Sequence, residues 1–305
     1  MRIFIFTLII LFASCNDTPS KSTAKTTMTD PKKIDWQGHR GARGLLPENT
    51  IPAFIKALEY PVSTLELDIC IAKDTTVIVT HEPWFNHKIS SHPDGTPVTE
   101  EEGEKLLIYN MTYEEVKKYD VGSRGNKLFP DQQPMKVSKP SLKDMVAAVD
   151  AHCEKTGKAK PNYDIEIKSH PDYYNVKTPP PAEYVRLILA ELKEIGIENR
   201  CNLQSFDINV LEEIHKQNPS MVVAYLIEST DHPNKNLEKI TFKPDIYSPH
   251  FLLLSKEIIE DLHTQDIRVI PWTVNEVEDM KRMIAFGVDG IITDYPNRIE
   301  AAISK

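Results

Sequence analysis

Short runs in which apolar and polar residues alternate recur along this chain, separated by stretches in which apolar residues return every three to four positions. Alternation with period two marks a strand, and return at three to four marks a helix with one buried face. The first kind of run predicts strands at 34–38, 64–70, 162–167, 201–206, 221–227, 245–249, 267–273 and 289–293. The second kind predicts helices near 50–59, 141–153, 182–195, 208–217, 255–264, 276–286 and 297–303. Strands alternating with helices in this way predict an α/β fold, a parallel (β/α)8 TIM barrel, rather than an antiparallel one. An open doubly wound sheet is the competitor, but no glycine-rich phosphate turn follows the first strand.

One apolar run stands outside this alternation. Val77-Ile78-Val79-Thr80-His81 begins too soon after the second strand for a parallel crossover, which needs a dozen or more residues. It is expected to fold back as a hairpin on the second strand, with Lys73-Asp74-Thr75-Thr76 at the turn, and so to return His81 to the mouth of the barrel. Residues 82–140 then lose the alternating pattern and carry Pro83, Pro93, Pro97, Pro130, Pro134 and Pro140, with one helix expected at 112–119. A segment this long predicts an insertion with structure of its own, not a plain loop.

Composition narrows the picture little. The chain has 305 residues, 40% of them apolar and 27% charged, which is ordinary for a globular domain. A formal net charge of -9 argues against nucleic acid as a partner. It does not forbid a small anionic substrate, because a bound cation can dominate a local field. The N-terminus is more telling. Arg2 precedes an apolar run from Ile3 to Ala13, too short to span a bilayer and shaped like the core of a secretory signal. Leu11-Phe12-Ala13-Ser14-Cys15 resembles a bacterial lipoprotein cleavage box, so residues 1–14 are read as a signal peptide and Cys15 as the lipidated first residue. Residues 15–33 then form a polar tether, and 34–305 the barrel domain. This predicts an exported, membrane-anchored lipoprotein on the periplasmic or cell-surface side. Cys70, Cys153 and Cys201 show no metal-finger or redox spacing, so no disulfide framework is indicated.

The chemistry sits on the predicted strand ends. In 64–70 the alternation puts Leu65, Leu67 and Ile69 on one face and Glu66 and Asp68 on the other. Two carboxylates on one face repel unless a cation lies between them. His39 ends the first strand, and Glu166 and Lys168 end the third, where a barrel of this kind builds its active site. Each residue alone has a plain reading as a cap or a solvated face, but together they converge on one end of the fold. Three carboxylates favour Mg²⁺ or Ca²⁺ over zinc. Two histidines titrating near neutrality suit proton transfer. Arg40 and Lys168 suit phosphoryl oxygens, with pairing to the carboxylates as their alternative role.

The order His39-Arg40-Gly41, Pro47-Glu48-Asn49-Thr50, Glu66-Leu67-Asp68 and His81 resembles the signature of the glycerophosphodiester phosphodiesterases. The likeness continues through Glu166-Ile167-Lys168, Gln204-Ser205-Phe206, Trp272-Thr273-Val274-Asn275 and Thr293-Asp294-Tyr295-Pro296, across about residues 34–305. It implies a metal ion on Glu66, Asp68 and Glu166, with His39 and His81 as the general acid/base pair. It implies that a glycerol hydroxyl attacks phosphorus, giving a cyclic phosphate that water opens. It also implies that the insertion lies over the C-terminal face. Glu48 is expected to support the metal shell or Arg40, Asn49 to cap the helix that starts there, and Trp272 to line the glycerol pocket. Two positions depart from the pattern: Thr75 stands where the hairpin usually has glycine, and Glu82 where an aspartate usually follows the histidine. The other eight histidines match nothing catalytic and read as surface or cap residues.

The expected function is metal-dependent hydrolysis of glycerophosphodiesters to glycerol 3-phosphate and an alcohol. The enzyme alternative is a phospholipase C- or D-like activity on intact lipid, which would want an exposed apolar rim at the barrel mouth. The other alternative is a lipid-anchored binding protein without catalysis, against which His39, Glu66, Asp68, His81 and Glu166 all speak.

Overall fold

The computed structural model describes residues 34–304, so the expected signal peptide, Cys15 and the tether lie outside the described residues. The first strand, β1 (Asp35–Gly38), leads through α1 (Ile51–Ala57) to β2 (Thr64–Ile71), which turns back as β3 (Val77–Val79). The insertion carries two single-turn helices, α2 (Glu100–Gly103) and α3 (Tyr113–Val116). The chain then alternates: α4 (Leu142–Thr156), β4 (Asn162–Ile167), α5 (Pro181–Ile195), β5 (Cys201–Ser205), α6 (Ile208–Gln217) and β6 (Val223–Ile227). It continues through α7 (Pro233–Leu237), β7 (Ile246–Pro249), α8 (Lys256–Thr264), β8 (Arg268–Val269), α9 (Val277–Phe286), β9 (Gly290–Thr293) and α10 (Ile299–Ile303).

Eight of the strands pair in parallel in the order β8-β7-β6-β5-β4-β2-β1-β9. Backbone bonds from Asp289 to Val269, from Ile292 to Pro271 and from Val274 to Ile292 bridge β9 to the β8 segment, and the sheet becomes a barrel. The predicted seventh strand, 267–273, is regular only over Arg268–Val269, because Pro271 has no N–H to give the ladder. Ile270 and Trp272 still donate to Tyr247 and Pro249, so the backbone keeps its course to the mouth. The expected helices all form. The α2 and α7 turns carry no periodic signal in the sequence, since four or five residues are too few to display a helical period.

The hairpin forms as expected, with β3 antiparallel to β2 and Ile69 opposite Val79. Its turn keeps a left-handed residue without glycine. Thr75 adopts φ +66°, and the neighbouring Asp74 carboxylate accepts the backbone N–H groups of Thr76 and Tyr113. The insertion owns a small core in which Phe85, Val98, Ile108, Val116 and Val121 pack with Ile78 of the hairpin. Gln132 ties it to the mouth by donating to the carbonyls of Arg43 (2.7 Å) and Leu46 (3.2 Å), in the loop after β1.

The main core lies between barrel and helices, where Leu65, Leu67, Ile69, Ile165, Ile167 and Leu203 meet the inner faces of α4, α5 and α6. The barrel lumen is divided. Ala224, Ile246, Ile270 and Ile292 form an apolar cluster on the β6 to β9 side. On the β1 to β5 side the buried residues of the same parity are polar: Gln37, Thr64, Glu66, Asp164 and Gln204. Among the described residues no helix is long and apolar enough to cross a membrane.

Candidate active site

Strand parity and register assemble the acidic cluster. Glu66 and Asp68 share the inner face of β2, and the β2–β4 register sets Asp68 beside Glu166. One oxygen from each of these three buried carboxylates lies within 4.8 Å of the others. Burial, with Asp68 as the nearest like charge, holds the Glu66 carboxyl well above the usual range. Burial raises Glu166 as well. Burial would also raise Asp68, but Arg40, His81 and Lys168 outweigh it and hold that carboxyl well below the usual range. Asp68 Oδ1 is buried without a hydrogen-bond partner. A buried, orphaned carboxylate oxygen beside two carboxyls that resist ionisation suits a hard divalent cation with oxygen ligands. The residues present therefore fit such an ion.

The loop after β1 wraps this cluster. Gly41, at φ +83°, lets the loop lie on α1, where a Cβ would come 2.5 Å from the carbonyl carbon of Ala53. The backbone N–H of Arg40 donates to Glu66 Oε2 (2.9 Å), while Gln204 Nε2 donates to Oε1 (3.1 Å). The Arg40 guanidinium donates to Glu48 Oε1 (2.8 Å) and sets Nε 3.2 Å from Asp68 Oδ2. Glu48 thus pairs with Arg40. Asn49 does not cap α1: the cap is Thr50, whose hydroxyl accepts the Ala53 N–H. Asn49 takes a left-handed backbone, φ +55°, and turns its amide inward to donate to Asp68 Oδ2 (2.8 Å). The stronger acceptor is the buried carboxylate, and Thr50 has the extended backbone a cap requires. Lys168 Nζ donates to Glu166 Oε1 (2.7 Å) and lies 3.7 Å from Asp68.

The two histidines face one pocket of ≈ 220 Å³, which also reaches Arg40, Glu66, Glu166 and Lys168. Each is oriented through Nδ1. For His39 the partner is Asp294 Oδ1 at 2.7 Å, and for His81 it is Glu82 Oε1 at 3.0 Å. The longer acid after His81 therefore does reach the ring. Burial pushes His39 down to about 4 against the pull of Asp294. Burial would raise Asp294 too, but His39 and Arg43 hold it low, so the carboxylate accepts from a neutral ring protonated at Nδ1. This turns the lone pair of Nε2 toward Glu66, 3.8 Å away. Asn275 completes the support, donating to Asp294 Oδ2 (2.8 Å) and accepting its backbone N–H. Phe206, Leu226, Trp272 and Ile292 form the apolar side of the pocket, with the Trp272 indole anchored to the Ser248 carbonyl.

Residues 39–298 match the model of the Glycerophosphoryl diester phosphodiesterase family. The chain belongs to that family. It is 27% identical to the glycerophosphodiester phosphodiesterase of Bacillus subtilis over 302 residues, which cover 96% of this chain and 94% of the relative. A solved Silicibacter pomeroyi structure assigned to the family superposes with a TM-score of 0.77 at 29% identity, over 88% of this chain and 93% of that one. A phosphodiesterase of Oleispira antarctica, solved in complex with the product sn-glycerol-3-phosphate, shares the fold at a TM-score of 0.69 and 18% identity, over 89% and 97% of the two chains.

Every residue of the family motifs given a role from sequence lies at this mouth, while His170, His232 and His250 cap short helical turns as expected of bystanders. Three further residues join the site without a local sequence signal. Asp294 stands in a matched block, but its partnership with His39 spans 255 residues and has no local signature. Gln204 likewise stands in a matched block. Arg43 lies four residues beyond His39, and only the loop geometry shows that its side chain turns into the pocket.

Proposed function

We propose that this enzyme hydrolyses glycerophosphodiesters to sn-glycerol 3-phosphate and the free alcohol, with a divalent cation on Glu66, Asp68 and Glu166. The observation that carries this reading is the convergence of two oriented histidines and the three-carboxylate cluster on one pocket. Bound there, the ion would supply charge that stabilises the phosphoryl group in the transition state. His39, neutral and with Nε2 free, takes the proton of the glycerol hydroxyl next to the ester. That oxygen bonds to phosphorus, and the bond from phosphorus to the alcohol oxygen breaks. His81 gives the departing oxygen its proton. Water then opens the cyclic phosphate with the two roles exchanged. Arg40 and Lys168 steady the phosphoryl oxygens, and Trp272 walls the glycerol. Holding nucleophile and phosphorus in one molecule supplies the high effective concentration such a step needs. The deciding experiment is turnover of glycerophosphocholine with release of glycerol 3-phosphate, measured with and without chelator. Activity unchanged after verified metal removal would refute the reading.

A second reading, action on lipid that retains an acyl chain, draws on one observation. The exposed large apolar residues Leu128, Val176, Phe206 and Leu252 lie in the insertion and in the loops after β4, β5 and β7, all at the mouth end. Comparing lysophosphatidylcholine with glycerophosphocholine as substrates decides between the two. The reading extends to location: Cys15 carries lipid and holds the enzyme at a membrane outside the cytoplasm. Because one acyl chain anchors only marginally, more than one is expected. Mass spectrometry of the mature N-terminus tests this, and a soluble form cut elsewhere would contradict it.

A further inference from the structure

We propose that Arg43 is a further substrate-binding residue, a preformed fork that grips the phosphoryl oxygens of the diester from the His39 side of the pocket. The proposal rests on the phosphodiesterase reading and adds to it a residue that the sequence motifs leave without a role.

Four observations carry it. Arg43 lines the same pocket as His39, Arg40 and Lys168. Those other two cations spend part of their donors on carboxylates: Arg40 gives one terminal nitrogen to Glu48 and holds Nε against Asp68, and Lys168 donates to Glu166. The ion pairs of Arg43 run through Nε, 3.1 Å from Asp294 Oδ1 and 3.9 Å from Glu48 Oε2. Neither of its terminal nitrogens bonds to a described residue. The guanidinium is also held in place. Its carbon lies 4.4 Å over the Phe129 ring, and its backbone carbonyl accepts from Gln132, both from the insertion. A planar cation fixed by stacking on one face, with its outer edge unspent, matches two oxygens of a phosphoryl group better than a flexible ammonium does. The insertion thereby takes part in binding, because it braces the arginine that meets the substrate.

The rival explanation is that Arg43 only holds Asp294 in place for His39. The two predict different measurements on the metal-loaded enzyme. If Arg43 grips the phosphoryl group, Arg43→Ala weakens inhibition by inorganic phosphate and by glycerol 3-phosphate by roughly 10–100-fold, the scale of losing hydrogen bonds between charged groups. It lowers kcat/KM equally for glycerophosphocholine and glycerophosphoserine, and added guanidinium ion restores part of the loss. Arg43→Lys, which keeps charge and stem, guards against misfolding and also binds phosphate more weakly. If Arg43 acts through Asp294, the pH profile of kcat shifts while phosphate inhibition stays at the wild-type value, and the proposal is overturned. A loss confined to glycerophosphoserine would place the fork on the alcohol and overturn it as well. Phosphate binding is read by calorimetry without turnover. A wild type that binds phosphate but cleaves no diester would therefore refute the function and leave Arg43 standing.

Discussion

Inside one barrel, β1, β2, β4 and β5 present carboxylates and amides to the lumen, while β6 through β9 present Ala224, Ile246, Ile270 and Ile292. The polar half is a hydrogen-bonded network: Asn202 donates to Asp164, Gln204 to Glu66, and Thr64 to Asp35, while Asp68 Oδ1 is left without a partner. The apolar half coheres chiefly by packing, with Ser248 donating to the Ile270 carbonyl. The contrast shows how one fold can hold three carboxylates out of water. The hydrocarbon wall lowers the local dielectric, so each charge on the facing strands is coupled strongly to its neighbours. The acidic cluster lies on one half, and Asp294, Asn275 and Trp272 reach the site from the strand ends of the other.

Breaking the polar half should have the largest effect. Chelation should take turnover to background, with recovery on adding Mg²⁺ or Ca²⁺, and should lower the melting temperature. At an ion concentration of 100 Kd the lost linkage is about 2.7 kcal/mol. Asp68→Asn should abolish that metal-dependent shift in melting. A variant that still responds to the ion would remove Asp68 from the ligand set.

Next come the histidines at the rim of that half. His39→Ala and His81→Ala should each lower kcat by about 10²–10⁴-fold with much smaller changes in substrate affinity. The double variant should fall short of the product of the two losses, because the pair acts as a unit. Near-wild-type turnover in either single variant would take that ring out of the mechanism.

The apolar half should answer differently. Ile270→Ala should cost about 2–5 kcal/mol of stability, the usual range for emptying a packed aliphatic site. Calorimetry should still find metal affinity close to wild type. A large drop in affinity would mean that the two halves are not separable.

The last effect, read as a slope with pH and not as a loss of activity, lies at the base of the polar half. Burial pushes Asp164 up from 3.8 to about 8, so the folded protein keeps its proton when the unfolded chain has lost it. Its contribution is therefore most favourable below the unfolded value and is lost as pH rises toward 8. Asp164→Asn should gain on wild type by up to about 1.4 kcal/mol for each pH unit between 5 and 8, and level off above. Parallel stability profiles for the two proteins would show that the carboxyl is ionised after all.

Much of this was legible in the sequence because period two is a local signal. Leu65, Leu67 and Ile69 against Glu66 and Asp68 reveal a strand with one face to the helices and one to the lumen. The short gap before Val77 reveals the hairpin that brings His81 home. What stayed hidden depends on contacts the chain makes far from itself, or on competition between neighbours. Asp294 orients His39 across the closing seam. Asn49 looks like a cap until a buried carboxylate draws its amide away from the helix end, leaving Thr50 to cap. Arg43 turns inward between Asp294 and Phe129 of the insertion, whose pattern is too irregular to read.

The 2.7 Å contact between His39 and Asp294 joins the first strand to the segment after the last. Glu66, Asp68 and His81, by contrast, come from neighbouring elements early in the chain. Loop-closure entropy delays contacts of long separation relative to local ones. The β2–β3 pairing is therefore expected to form before the seam between β1 and β9. Regained activity during refolding should then lag the ordering of that hairpin, and turnover becomes a clock for the moment the barrel shuts.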